Sequence, residues 1–390
     1  MPRWLSYSKR QSLLQNTRRQ HLLWLPVTIT VQEVSNNLLI YIMKKKLLIL
    51  ISLFATAAIL IWMLHYYSFL AYYKRDNNFS RSFVNRVRGV SQNIVLPDEC
   101  INLVKMPSTG FTVVKKDLTV IYGISNEGKI VDTVPVSVFR KENLKRFHNI
   151  FIVDTVLTVI DPVSRTVASY SVNKNYRKIH SLTISTCFDR GVLTGDKIIL
   201  RSVDSSLSYG VFKSVDLTTG KVSNEPAEIS IIENDGGLTT DGFFVKLNDT
   251  SALYIFYYQD SYKCIDENLH LSFTRKLNFT AKDTPIVVKT GEGAYSFASP
   301  AVAKSARAFV NNNTLYVNSF LISDNEKPAD FKYQSVIDMY DLKTGEYTKS
   351  FYIPPDDTGD KMKDFYIKDN KLVALYPFKI IVYDFLNDGH

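Results

Sequence analysis

The stretch Met339-Tyr340-Asp341-Leu342-Lys343-Thr344-Gly345-Glu346-Tyr347 decides the fold class. It consists of an apolar strand that ends in an aspartate, a short turn, and a second strand. An aspartate suits such a turn because its side chain accepts hydrogen bonds from backbone N–H groups two residues further on, and the glycine takes the position that needs a positive φ. The pattern therefore predicts a β-hairpin at residues 339–347.

The same pattern recurs upstream and downstream, at 121–129 (without the aspartate), 159–167, 214–222, 264–269 and 382–385. The markers fall at positions 123, 161, 216, 266, 341 and 384, so the intervals are 38, 55, 50, 75 and 43 residues. A second feature, a polar turn followed by a strand that would pair with the marker strand, occurs at 196–200, 313–317 and 370–374. Units of about four strands every 40–50 residues are typical of a β-propeller. The sequence therefore predicts an all-β, six-bladed propeller over residues 96–390, with tandem β-sandwiches as the alternative. In the propeller, the N- and C-terminal strands are expected to close the ring in one blade.

With these markers, residues 96–384 resemble six-bladed propellers of the NHL and TolB-like kind. The likeness is strongest to Bacteroidota-type versions that carry an N-terminal membrane segment or signal. The markers specify turns between strands rather than a chemistry. The resemblance therefore implies a fold and a location, and it carries no active-site residue onto this chain.

The charge of the chain is concentrated near its N-terminus. The net charge is +9 over 390 residues, but residues 1–46 contribute +7 and residues 74–88 contribute +4, which leaves −2 for all the others. Nucleic-acid binding would need a basic stripe on the folded part. We therefore predict no nucleic-acid partner.

Between the two basic blocks lies LLILISLFATAAILIWML, Leu47 to Leu64, which contains no charged residue. At about 1.5 Å per residue, this run nearly spans a hydrocarbon core of about 30 Å, so we predict that it contacts the lipid bilayer. Ala55-Thr56-Ala57 has the form of a signal cleavage site, but the apolar residues continue beyond it, which favours an uncleaved signal anchor. The predicted organisation is a tail at 1–42, a transmembrane signal anchor at 43–73, a linker at 74–95 and the propeller at 96–390.

Met43, followed by three lysines and the apolar run, has the form of a bacterial start. Our hypothesis is that Met43 is the initiator and that residues 1–42 are not part of the native protein. N-terminal sequencing tests it, and a native peptide that includes residues 38–42 would contradict it. Because long domains translocate largely regardless of flanking charge, we expect the propeller on the periplasmic or exterior side.

Few residues form a pattern that would support catalysis or ligation. The six histidines include no His-x-x-x-His pair, and Cys100, Cys187 and Cys264 include no Cys-x-x-Cys. We therefore predict no metal and no cofactor. Each cysteine is expected to be a small buried hydrophobe, and a disulfide between two of them stays open.

Three other stretches have a simple structural interpretation and a functional alternative. Asp356, Asp357, Asp360 and Asp364 suggest calcium, but their spacing fails the loop pattern and predicts a solvated turn. The glycines of 289–294 lack a strand–loop–helix context and predict a connection between blades. The aromatic run 254–262 predicts core packing, with a carbohydrate or peptide surface as the alternative.

The sequence thus favours a membrane-anchored propeller that acts as a non-enzymatic binding or scaffold module. The alternative is a propeller enzyme (a lyase, lactonase or glycan-active hydrolase) with its site at the channel mouth. Titratable groups that converge there would favour the enzyme. The sequence identifies no catalytic residue, ligand or partner.

Overall fold

The computed structural model describes residues 31–386, apart from 74–76, 107–109, 118, 136–148, 154–155, 175, 205–207, 225–228, 230–232, 280–283 and 292. The chain divides into two compact units, Met1–Leu70 and Ala71–His390. Helix α1, Val31–Tyr73, forms the described part of the first unit and continues into the second.

Helix α1 contains one segment, Leu38–Ser68, that is long and apolar enough to cross a membrane. The side chains from Leu47 to Leu64 are exposed. A helix that is apolar on all sides suits a lipid environment. The helix extends on both sides of Met43, and its extent does not test where the native protein begins. The hypothesis that Met43 is the initiator therefore stays a prediction.

The second unit consists mainly of six four-stranded antiparallel sheets. We number these sheets as blades 1 to 6. The strands of blades 1 to 3 are β2–β5 (Cys100–Met106, Gly110–Lys115, Val120–Ser125, Ile130–Pro135), β6–β9 (Asn149–Val153, Val156–Asp161, Thr166–Ser171, Arg177–Thr183) and β10–β13 (Arg190–Thr194, Lys197–Asp204, Tyr209–Asp216, Val222–Asn224).

Blades 4 to 6 complete the set. Their strands are β14–β17 (Gly242–Lys246, Ser251–Phe256, Ser261–Asp266, Leu271–Lys276), β20–β23 (Ser305–Asn311, Thr314–Ser319, Ser335–Asp341, Tyr347–Ile353), and β24–β26 with β1 (Asp364–Lys368, Lys371–Tyr376, Lys379–Phe385, Val87–Val95).

The sheets close into a ring. The first strand of each blade contacts the first strands of both neighbouring blades, in the order β2, β6, β10, β14, β20, β24 and back to β2. Each of the six main apolar clusters lies between two adjacent blades; Val114 of blade 1, for example, packs with Leu157 of blade 2. Tandem sandwiches would pair sheets rather than give each sheet two neighbours. The prediction of a six-bladed propeller is confirmed and the sandwich alternative is wrong.

The N-terminal side of the propeller corrects one sequence boundary. Residues 74–95 were predicted to be a linker, but Val87–Val95 forms β1 and pairs antiparallel with β26, for example Ile94 with Ile380. Upstream of β1, Phe83 forms a bridge with Ser350 of blade 5. The structure thus confirms that the N- and C-terminal strands close the ring in one blade, but it places the N-terminal strand inside the predicted linker. Local sequence does not mark this strand, because its partner lies almost 300 residues away.

The marker turns also needed one correction. The markers at 123, 216, 266, 341 and 384 lie in, or directly follow, the third strand of a blade, but Asp161 ends β7, the second strand of blade 2. The third strand of blade 2 ends at Ser171 and continues into a 3-10 helix, Val172–Lys174. If the marker of blade 2 is placed at Ser171 instead of Asp161, the markers of blades 1, 2 and 3 become nearly evenly spaced along the sequence.

The long interval before Asp341 contains two insertions. One is a hairpin of β18, Val287–Gly291, and β19, Ala294–Phe297, which forms a separate two-stranded sheet between blades 4 and 5. The other is helix α2, Pro328–Tyr333, between the second and third strands of blade 5. The glycines of 289–294 thus belong to a connection between blades, as expected. The sequence also allows one short helix at residues 141–147, and this stretch lies outside the described residues.

Candidate functional site at the channel mouth

Charged residues stand at the starts of four of the first strands. Arg190 begins β10, Asp241 directly precedes β14, Arg307 is near the start of β20, and Asp364 begins β24. First strands run in the same direction around a propeller, so their starts meet at one end of the channel. Tyr257 directly follows β15, which is antiparallel to β14, and therefore lies at the same end. We call these five residues the mouth cluster.

Arg190 and Asp241 join blades 3 and 4. The Nε and Nη2 atoms of Arg190 donate to the two carboxylate oxygens of Asp241, each at 3.2 Å. The Arg190 guanidinium also lies over the Tyr257 ring, 5.1 Å from its centroid. About a quarter to a third of each charged side chain stays exposed. A bidentate, stacked pair of this kind holds both groups in a fixed orientation at the mouth.

A buried arginine, Arg201, lies next to this pair and contacts Asp241. Arg201 on β11 donates to Asp189 and to the carbonyl oxygen of Gly237, and its Nη1 lies 3.6 Å from Asp241. The carboxylate of Asp235 accepts hydrogen bonds from the N–H groups of Gly237 and Thr239, both at 2.8 Å. The loop before β14 is therefore internally bonded, and it sets the position of Asp241.

Arg307 and Asp364 form the corresponding contact between blades 5 and 6. The Arg307 Nε lies 3.8 Å from Asp364 Oδ1, and the carboxylate accepts hydrogen bonds at 3.0 Å from the N–H groups of Leu103 and Phe365. Burial raises the pKa of Asp364, and the positive charge of Arg307 and the two N–H groups oppose that rise. Because Leu103 lies on β2, Asp364 also ties the last blade to the first.

An aromatic row leads away from the cluster. The ring centroids of Tyr257 and Tyr258 lie 6.2 Å apart, and those of Tyr258 and Phe297 lie 5.2 Å apart. Phe297 belongs to the inserted β18–β19 hairpin, which therefore contributes to the surface beside the mouth. All three side chains are half-buried. In contrast, Tyr254 and Tyr262 are fully buried, as the core-packing interpretation of the run 254–262 expects.

The other residues singled out in the sequence are elsewhere. His180 lies on β9, the outer strand of blade 2, and His270 lies in the turn after β16, beside Asp266. His148 lies outside the described residues. Cys100 and Cys264 are buried in different apolar clusters, whereas Cys187 is exposed, contrary to expectation. None of these three cysteines forms a disulfide in the structure.

The aspartates that suggested calcium have separate partners. Asp356 accepts hydrogen bonds from the N–H groups of Thr358 and Asp360, and the Lys379 ammonium pairs with Asp356 and Asp357. Asp364 instead belongs to the mouth cluster. In the parts of the chain that the structure describes, no group of three His, Cys, Asp or Glu side chains is placed to hold a metal ion.

Sequence reasoning did not find the mouth cluster. Its members are single charged or aromatic residues, separated by up to 174 positions. The sequence singled out the stretches that contain Asp364 and Tyr257, but it predicted a solvated turn and core packing for them. The available signal was their position: each lies at the start of a first strand or the end of a second strand. That signal becomes visible only once the blades are aligned in the correct register.

Comparisons with known proteins find solved structures of low sequence identity. No family model matches the chain, and no curated protein sequence matches it. Among solved structures, a DUF4221 family member from Bacteroides vulgatus is similar with a TM-score of 0.49, 13% identity, and coverage of 80% of this chain and 99% of that one. Virginiamycin B lyase from Staphylococcus aureus is similar with a TM-score of 0.47 and 10% identity, and the match covers 76% of this chain and 99% of that one. A putative exported protein from Bacteroides fragilis is similar with a TM-score of 0.46 and 9% identity, and the match covers 80% of this chain and 96% of that one.

These likenesses concern the fold alone. The strand pairing and the apolar segment of α1 define the class: a six-bladed β-propeller with one N-terminal helix long and apolar enough to cross a membrane. This is the class that the resemblance to NHL and TolB-like propellers implied.

Proposed function

We propose that this protein is a membrane-anchored, non-enzymatic binding module whose propeller faces the periplasm or the cell exterior. The partner or ligand is held at the mouth cluster. One observation carries the proposal: fixed arginines, carboxylates and an aromatic row are gathered, partly exposed, at one end of the channel. Charges of both signs beside aromatic faces are typical of recognition surfaces.

The pairing within the cluster favours binding over catalysis. Asp241 is held by two nitrogen atoms of Arg190, and Asp364 by two backbone N–H groups and the charge of Arg307. A general base needs a carboxylate free to accept a proton from substrate. Asp241 instead keeps Arg190 oriented, and Asp364 is occupied by hydrogen bonds from the backbone, which suits a surface that recognises polar groups.

The alternative, an enzyme, rests on Asp364. Its carboxyl has a raised pKa beside a cationic group at the mouth, an arrangement found in general acids. Together with Arg307 and Tyr257, it would supply the converging titratable groups that the enzyme needs. We rank this function second because the same carboxylate accepts structural hydrogen bonds from β2 and β24.

Site-specific photo-crosslinking in the native membrane tests the site. A benzoylphenylalanine at Tyr258 is expected to capture a partner or ligand, and Arg307→Ser together with Tyr257→Ala should reduce the yield about tenfold or more. The matched control carries the same probe at Asn313, in the turn between β20 and β21 at the other end of the blade. Equal capture from both positions, or none at Tyr258, would contradict a mouth site.

The captured molecule also separates the two functions. Incubated with wild-type protein, a ligand of a binding module keeps its mass, whereas a substrate is converted. If conversion occurs and is lost in Asp364→Asn while capture at Tyr258 persists, the enzyme is correct and the binding module is wrong.

The exposed thiol of Cys187 offers a test of location, because the other two cysteines are buried. A membrane-impermeant maleimide should label the protein in cells whose outer membrane is permeabilised and whose inner membrane is intact. Cys187→Ser should abolish the labelling, and lysed cells provide the total. Labelling only after lysis would place the propeller in the cytoplasm.

A further inference from the structure

A cleft of about 510 Å³ lies at the outer rim of the propeller, and no residue of the mouth cluster lines it. One wall comes from the segment before β1 and the first two residues of β1. The other walls come from β23, the outer strand of blade 5, with the residue after it, and from the residue that follows α2. The lining residues are Phe83, Val84, Asn85, Arg86, Val87, Arg88, Gln334, Tyr352 and Pro354. Small-molecule sites have volumes of about 300–1,000 Å³, so the cleft has the size of a ligand site.

The aromatic wall of the cleft is fixed in place. The rings of Phe83 and Tyr352 are stacked, with centroids 4.5 Å apart and planes inclined by 5°. The segment that carries Phe83 is held by backbone hydrogen bonds with blade 5, from the N–H of Val84 to Ser350 and from the N–H of Ser350 to Ser82, both at 2.9 Å. The Tyr352 hydroxyl donates to Glu326 at 2.8 Å. A ligand would meet a preformed apolar surface, which lowers the entropic cost of binding.

The charge of the lining has one sign. It includes two guanidinium groups, Arg86 and Arg88, and no carboxylate. Arg86 is 5% exposed, donates from Nη1 to the carbonyl oxygen of Leu386 at 2.7 Å, and lies over the Phe385 ring. Arg88 is exposed. The nearby acid Glu326 is bound to Arg81 and Tyr352.

Gln334 adds a neutral polar group to the cleft. It is the residue after α2, and its backbone N–H bonds to Asp330 at 3.0 Å, which fixes its position. An amide can donate to or accept from a ligand. The cleft thus combines a flat apolar wall, two cations and one amide.

We propose that the rim cleft binds a small organic anion with an apolar body of ring size. The anionic group is held by the exposed Arg88, and the body lies against Phe83, Tyr352 and Pro354. The charge of the lining selects an anion, and the stacked rings select an apolar body over a hydrated ion such as phosphate. This site is independent of the mouth cluster, so it can be present whichever function the mouth performs.

Binding there would also connect two parts of the propeller. The cleft is shared between the N-terminal segment and blade 5, so a ligand that contacts both stabilises their association by mass action. Binding of the ligand would therefore stabilise the attachment of residues 77–95 to the rest of the ring.

Calorimetric titration tests the proposal on the full chain in nanodiscs of zwitterionic lipid, with empty discs as the blank. The probe is naphthalene-2-sulfonate, and the comparator is naphthalene-2-sulfonamide, which has the same rings and no charge. We expect the sulfonate to bind wild-type protein at least about tenfold more tightly than the sulfonamide.

Arg88→Ser should remove most of that difference, because an exposed arginine can be replaced without loss of the fold. Arg177→Ser, an exposed arginine on the outer strand of blade 2, is the matched control and should leave both affinities unchanged. Circular dichroism melting checks that both variants stay folded. Equal affinities for the two probes on wild-type protein, or an Arg88→Ser variant that keeps the preference for the sulfonate, would overturn the proposal.

Discussion

The guanidinium of Arg81 and the carboxylate of Asp338 form a two-point ion pair that is sealed from solvent. Arg81 Nε lies 2.7 Å from Asp338 Oδ1, and Nη2 lies 2.9 Å from Oδ2. Arg81 also donates to Glu326, to Ser319 and to the carbonyl oxygen of Leu321. Arg81, which lies six residues upstream of β1, is thereby bonded to the middle of blade 5, so the N-terminal segment is part of the propeller core.

Replacing Arg81 should therefore weaken the whole propeller. In Arg81→Ala, two buried carboxylates lose their cation, and the breaking of a buried pair costs about 3–5 kcal/mol. Urea unfolding followed by near-ultraviolet circular dichroism measures the loss. Arg177→Ala, at an exposed position, should change the stability by less than about 0.5 kcal/mol. Equal stability of both variants would show that Arg81 does not anchor the segment.

The closing strand β1 gives a sharper test, because two adjacent residues differ in burial. Ile94 is 4% exposed and packs in the cluster between blades 6 and 1, whereas Val95 is 75% exposed. Ile94→Ala should destabilise the protein by about 2–5 kcal/mol, since it leaves a cavity in a packed interface. Val95→Ala should cost less than about 0.5 kcal/mol. If β1 did not close the ring, the two losses would be similar and small.

What the sequence could predict was set by local chemistry. The turns at Asp216 and Asp341 follow from hydrogen bonds between a side chain and N–H groups two or three residues away, and the structure contains those bonds. Asp161 makes the same local bond, to the N–H of Val163, but between the second and third strands. Because the bond to the N–H group two residues further on is shared by all three turns, it does not identify which turn of a blade an aspartate forms.

What the sequence could not predict depends on long-range closure. The sequence predicted that the terminal strands close the ring, but not which residues form β1 or in which register they pair with β26. That register, and the meeting of Arg190 with Asp241 or of Arg307 with Asp364, require the ring to be complete. Each of these residues is an ordinary charged or apolar residue in its own segment. A site assembled from different blades therefore leaves no local motif, unlike a loop that binds a metal or a phosphate.

Gly242 directly follows Asp241 of the mouth cluster and pairs with the end of β15. A Cβ atom on Gly242 would lie 2.2 Å from the carbonyl oxygen of Ile255, so the backbone would have to move. Gly242→Ala should cost about 1–3 kcal/mol and should shift the adjacent Asp241 away from Arg190. Gly291 in β18 has no heavy atom within 4 Å of the same position, so Gly291→Ala is the control and should be nearly neutral. Unfolding measurements on both variants check this, and equal losses would contradict the close approach at Gly242.

The last prediction concerns pH and the turn that identifies the fold. The N–H group of Thr344 lowers the pKa of Asp341 most, burial opposes that effect, and the N–H group of Lys343 adds to it. A carboxyl whose pKa is lower in the folded state contributes stability above its unfolded pKa of about 3.9, and this contribution is lost as the pH falls through the folded pKa.

Asp341→Asn separates the charge from the shape of the turn, because an amide oxygen can accept the same two hydrogen bonds without titrating. Wild-type protein should be more stable than the variant at pH 7, and the difference should disappear as the pH falls below the folded pKa of Asp341. Val95→Ala, a substitution without charge, should keep a constant difference from wild type over the same range. Unfolding curves between pH 7 and pH 3 measure both. A stability difference for Asp341→Asn that did not change with pH would mean that the charge of this aspartate does not hold the marker turn.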